Sequence, residues 1–93
     1  MKEISQMSID IIPLILLQEG EEGIIHSVAG GAGLIGRLAS MGLTAGMKIK
    51  VIRNIRGPLI IVTNGTKIAI GRGQSQKIAV KRLTAAREKA AFR

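Results

Sequence analysis

The stretch Gly30–Leu43, GGAGLIGRLASMGL, decides between two folds. It contains a literal G-x-G-x-x-G at Gly31, Gly33 and Gly36. Ahead of a helix, that spacing can cradle the pyrophosphate of a dinucleotide inside a parallel α/β unit. Such a unit also needs an acidic residue about 20 positions further on to hold the ribose. None is present, because no Asp or Glu occurs between Glu22 and Glu88. A phosphate-binding loop fares no better, since Arg37 and Leu38 stand where Lys and Ser or Thr would hold phosphate and Mg²⁺. Leu38 has no oxygen to offer a metal. The glycines are therefore expected to allow tight backbone geometry where a strand enters a helix.

Downstream of the glycines, GLIGRLASMG reads as a short helix. Leu34, Leu38 and Met41 follow i, i+4, i+7 and share a face, with Arg37 and Ser40 elsewhere on its surface. Gly36 weakens this helix by about 1 kcal/mol relative to Ala, and Gly42 stands at the position of a left-handed C-terminal cap. LTAG then makes a turn. MKIKVIR alternates Met47, Ile49 and Val51 inward with Lys48 and Lys50 outward. PLIIVT and TKIAIGR flank Asn64-Gly65, a strong short-range hairpin signal. KIAVK repeats the alternation, with Ile78 and Val80 inward.

Upstream, GIIHSVAG reads as a strand with Ile25 and His26 on opposite faces. A helical turn starting at Pro13 buries Leu14 and Leu17, and Gly20 and Gly23 bracket an acidic turn. Residues 1–12 read as an extension or a strand, 13–82 as the main domain, and 83–93 as a tail or short helix with Thr84 as a potential N-cap. About five strands, short turns and one small helix predict a mainly β fold, a small antiparallel barrel.

Composition removes several function classes. There is no Cys, one His (His26) and one aromatic residue, Phe92. Disulfides, thiolate metal sites and imidazole clusters are thereby excluded, and no catalytic set can be assembled, so the chain reads as non-enzymatic with no cofactor and no metal. Glu19, Glu21 and Glu22 read as a solvated turn in preference to a loose cation site. No apolar run approaches the roughly 20 residues of a spanning helix. A cytoplasmic location is expected.

Charge is polarised along the chain. Residues 1–36 hold one Lys against five acidic residues, a net of −4, while residues 37–93 hold 13 Lys and Arg against Glu88 alone, a net of +12. Such a field attracts acidic surfaces, nucleic acid or anionic lipid. Against nucleic acid, there is no aromatic platform on which bases could stack.

Several separate blocks together resemble the FeoA family. These are Leu14, Leu17, Gly20, Gly23, Ile25, Gly30-Gly31, then LIGRLASMGLTAGMKIKVIR, GPLIIVTNGTKIAIGR and IAV. Leu34 to Gly46 is the most specific, resembling L-x-x-R-L-x-x-[LM]-G-[LI]-x-x-G. The resemblance implies an SH3-like β-barrel with one or two short helices. It also implies an accessory, regulatory role in ferrous iron uptake beside FeoB, the membrane permease with a cytoplasmic GTPase domain. On that reading Arg37, Leu38, Met41 and Leu43 are the candidate partner-binding residues, although the face shared by Leu34, Leu38 and Met41 suits core better than contact. Peripheral membrane association is expected through the partner, with direct attachment through basic side chains as a further alternative. The alternative is a basic nucleic-acid-binding or transcription-regulator-like SH3-like module.

Overall fold

The computed structural model describes residues 10–83. The sequence expectations for residues 1–9 and 84–93, including the Thr84 cap and Phe92, lie outside them. Six strands form one antiparallel sheet in the order β1-β6-β2-β3-β4-β5. In chain order they are β1 (Ile11–Pro13), β2 (Glu22–Val28), β3 (Lys48–Arg53), β4 (Leu59–Thr63), β5 (Thr66–Ile70) and β6 (Ile78–Arg82). Helix α1 (Ala32–Ser40) joins β2 to β3, and the single-turn α2 (Arg72–Ser75) joins β5 to β6. A 3₁₀ turn at Leu14–Leu16 follows β1.

Alternation places the core. Ile49 and Val51 of β3, Leu59 and Ile61 of β4, and Ile78 and Val80 of β6 are all at most 1% exposed. Leu14 and Leu17 join them from either end of the 3₁₀ turn, as their spacing predicts. Among the described residues, all twelve buried hydrophobic side chains are aliphatic. The two buried polar side chains among the described residues are satisfied: Thr63 donates to the Lys48 carbonyl and Ser75 to that of Gly71. Asn64 and Gly65 both have positive φ, 52° and 78°, which is the primed turn expected between β4 and β5.

Two bulges curve the sheet. The β2–β6 register skips His26 between Ile25 and Ser27, and the β3–β4 register skips Ile52 between Val51 and Arg53. Each extra residue increases the local twist, which wraps the sheet around a core too small for a flat one. Residues 11 and 12, at the end of the segment read as an extension or a strand, pair with Lys81 and Val80 in β1. The class is the SH3-like antiparallel fold expected, with two differences of detail. The TKIAIGR strand stops at Ile70, because Arg72 begins α2. The second difference concerns the glycines.

Of the glycines at 30, 31, 33 and 36, only Gly30 has a left-handed backbone, φ +130°, and a Cβ there would lie 3.0 Å from Leu34 Cδ2. Gly31, the helix N-cap, is extended at φ −82°, and Cβ atoms at 31, 33 or 36 would meet nothing within 4 Å. The expectation that this cluster serves tight geometry therefore holds at Gly30 alone. Gly23 has the opposite problem: its Cβ would stand 3.2 Å from the Lys81 carbonyl oxygen and 3.3 Å from Leu17.

Candidate functional site: the helix α1 surface

Helix α1 is anchored by one side and by its end. Leu38 is fully buried, and Leu34 and Met41 pack against the core from the same side. At the C-terminus the Leu43 N–H donates to the Leu38 carbonyl (2.9 Å) and the Gly42 N–H to that of Ala39 (2.9 Å). With Gly42 at φ +91°, this is a Schellman cap, in which residues three before and two after the cap position share an apolar contact region. Those residues are Leu38 and Leu43, both in the same core cluster. The Met41-Gly42-Leu43 run is therefore a helix stop written into the sequence.

The four candidate partner-binding residues consequently divide. Leu38 and Leu43, at 0% and 1% exposure, present no surface and act only by fixing the helix. Arg37 is exposed and Met41 half-buried. Beside them lie Ala32, Gly33, Ile35, Gly36, Ala39 and Ser40, all exposed. Gly33, Gly36 and Ser40 fall opposite Leu38 at 100° per residue. Arg37 is the only charge on this helix, and Ser40 turns its hydroxyl back to the Arg37 carbonyl at 2.7 Å. The face of α1 opposite Leu38 thus carries only small side chains and is almost uncharged on a strongly basic protein, with the exposed Ile35 lying nearer the core side.

A second constellation escaped sequence reasoning. Asn54, just after β3, donates through Nδ2 to the carbonyls of Ile15 (2.9 Å) and Leu17 (2.7 Å). Its Oδ1 accepts from Arg72 Nη2 at 2.8 Å, while Arg72 Nη1 reaches the Gly57 carbonyl at 2.8 Å. The Asn54 N–H donates to Glu19. This clamp ties the 3₁₀ turn, the β3–β4 loop and α2 together, and it explains the arginine of the IAIGR block as a structural residue. Its partners are 15 to 39 positions apart, so no local pattern announces it.

The acidic turn is also built into the fold. The Gln18 N–H donates to Glu21 Oε1, Glu22 lies 3.7 Å from Lys48, and Arg82 lies 3.6 Å from both Asp10 and Glu21. Among the described residues no three metal-ligating side chains converge, and no helix is long and apolar enough to cross a membrane.

Six antiparallel strands, an aliphatic core and two short helices define a small SH3-like β module. Residues 12–82 match the FeoA domain model, and the chain belongs to the FeoA family. It is 52% identical over 69 residues to a curated relative from Methanocaldococcus jannaschii named Fe(2+) transport protein A, covering 74% of this chain and 84% of that one. It is also similar to the crystal structure of an iron uptake regulatory protein, FeoA, with a TM-score of 0.75 and 36% identity. That match covers 78% of this chain and 99% of the other. A manganese-dependent transcriptional repressor shares the fold alone, at a TM-score of 0.70 and 18% identity, over 78% of this chain and 42% of the repressor.

Proposed function

We propose that the protein is a non-enzymatic accessory of ferrous iron uptake that docks through the outer surface of α1 on the cytoplasmic part of a FeoB-type GTPase permease. Family membership and the ferrous iron transport name of its relative support the pathway. One structural observation carries the docking surface: α1 keeps Gly33 and Gly36 where neither backbone nor packing requires glycine. Each costs up to about 1 kcal/mol of helix stability relative to Ala. What they provide is a surface without side chains, on which another backbone can approach closely. Arg37 borders it and gives the contact polarity, and the half-buried Met41, between Arg37 and the core side, offers an adaptable apolar edge.

The test is a binding titration between this protein and the purified cytoplasmic domain of the permease, in GDP-bound and GTP-analogue-bound forms. Gly36→Gln inserts a side chain into the contact without touching the core, and Arg37→Glu reverses its one charge. Each is expected to weaken binding at least tenfold while leaving the folded state intact. No binding in either nucleotide state, or unchanged affinity in both variants, refutes the proposal.

A further inference from the structure

At the end of the sheet remote from α1, the structure exposes large aliphatic side chains that its own core does not use. Ile55 is 62% exposed, Leu16 56% and Ile52 41%. Three separate devices put them there. The β3 bulge takes Ile52 out of the ladder, so that Ile52 and Arg53 together oppose Ile60 and both side chains reach solvent. The Asn54 clamp grips the carbonyls on either side of Leu16, at Ile15 and Leu17, and holds that turn against the residue preceding Ile55. The Arg72 bond to the Gly57 carbonyl fixes the far side of the same loop.

Basic side chains interleave with these tips: Arg53 and Arg56 are exposed beside Ile52 and Ile55, and Lys50 lies on the same outer strand surface. Two carboxylates border the corner: the exposed Glu19 accepts the Asn54 N–H, and Glu22 stands opposite Lys50 in the β2–β3 register with its carboxylate 3.7 Å from Lys48. We infer that this corner is a membrane-docking surface, which lays Leu16, Ile52 and Ile55 into the interface of an anionic bilayer with Arg53, Arg56 and Lys50 among the lipid phosphates. Charge complementarity selects the occupant, because cations alternate with the apolar tips as headgroups alternate with accessible acyl chain at an interface. The three tips come from three different elements, the 3₁₀ turn, the β3 bulge and the β3–β4 loop, and all are exposed.

The corner lies by the Glu22 end of β2 and by Arg53 of β3, whereas α1 follows Val28 at the other end of β2. Seven strand residues span about 20 Å, so lipid and a protein held on α1 do not compete for the same surface. The inference therefore stands or falls independently of the proposed permease contact.

Vesicle sedimentation decides it, using the full chain and lipid alone. Vesicles of 30% phosphatidylglycerol in phosphatidylcholine are expected to retain the protein at 100 mM salt, and pure phosphatidylcholine vesicles to retain much less. Arg53→Gln with Arg56→Gln is expected to lower the bound-to-free ratio about tenfold or more, at roughly fivefold per cation. Leu16→Ser with Ile55→Ser, both on exposed positions, is expected to lower it by about as much. Lys77→Gln with Lys81→Gln removes the same charge elsewhere and is expected to change it less than about twofold. Absence of binding to the anionic vesicles overturns the inference. So does equal loss from the two charge-neutralised pairs, or indifference to the serine pair, either of which reduces the effect to net charge. Duplex DNA that competes for the protein with undiminished affinity for the serine pair identifies a general polyanion surface and also overturns it.

Discussion

Replacing Asn54 by Ala removes one side chain and three hydrogen bonds at once, so its cost can be worked from the structure. The amide nitrogen donates to Ile15 and Leu17 at 2.9 and 2.7 Å, and the amide oxygen accepts from Arg72 at 2.8 Å. A net value of about 1 kcal/mol for each neutral bond, and somewhat more for the one to a guanidinium, gives about 3–4 kcal/mol. The site is part-buried, so water can reach some of the freed groups, which lowers the range to about 2–4 kcal/mol. A 93-residue protein has a total of about 5–14 kcal/mol, and each kcal/mol shifts its midpoint by about 4–8 °C. Asn54→Ala should therefore lower the melting temperature by at least about 8 °C. With no Trp or Tyr in the chain, far-ultraviolet circular dichroism in a urea series is the suitable assay. A double-mutant cycle with Arg72→Ala isolates the 2.8 Å bond, with an expected coupling of about 1–2 kcal/mol. A loss below about 0.5 kcal/mol for Asn54→Ala, or strict additivity with Arg72→Ala, would refute the view that this clamp holds the corner together.

Four further outcomes follow from particular positions. Gly30→Ala should destabilise by about 1–2 kcal/mol, because its φ of +130° is strained for any side chain and Leu34 lies 3.0 Å from the new methyl; chemical denaturation reads it. Gly36→Ala should do the reverse, raising stability by up to about 1 kcal/mol in the same assay, since its Cβ meets nothing within 4 Å in mid-helix. Leu38→Ala should cost about 2–5 kcal/mol by leaving a cavity under α1, and weakened partner binding should track the unfolded fraction. Thr63→Val should cost about 1 kcal/mol at nearly constant volume, by stripping the Lys48 carbonyl of its 3.1 Å donor.

What could be read from the sequence was local. The β4–β5 hairpin was legible because Asn64-Gly65 supplies both positive-φ residues, and β3 and β6 because one face of each is buried and the other is not. By contrast β1 is three residues long and becomes a strand only by pairing with β6, which lies some seventy residues away. Helix α2 is one turn containing Gly73. It is held by Arg72 reaching to Asn54 and by the buried Ser75 bonding back to Gly71, neither of which is a helix propensity. The two bulges are likewise set by the whole ladder, so no single strand discloses that Ile52 faces solvent.

Two of the four partner residues proposed from sequence, Leu38 and Leu43, belong to a motif that is specific and yet lies inside the fold. Leu38, Gly42 and Leu43 have this spacing for a reason that lies within the chain: the Schellman cap needs glycine after the cap position, with an apolar residue on each side to close over the core. Such a motif is strongly patterned because it is structural, and the pattern by itself says nothing of contact. Residues that the fold does not need give the better indication of contact. Gly33 and Gly36 are glycines without a conformational reason, and Ile52 and Ile55 are isoleucines without a core to fill. The first pair lies on α1 and the second at the opposite end of β2 and β3. A protein with both surfaces in use would touch two different neighbours at once, so a Gly36→Gln variant should keep its vesicle binding in full. Loss of vesicle binding in that variant would show that the two ends do not act separately.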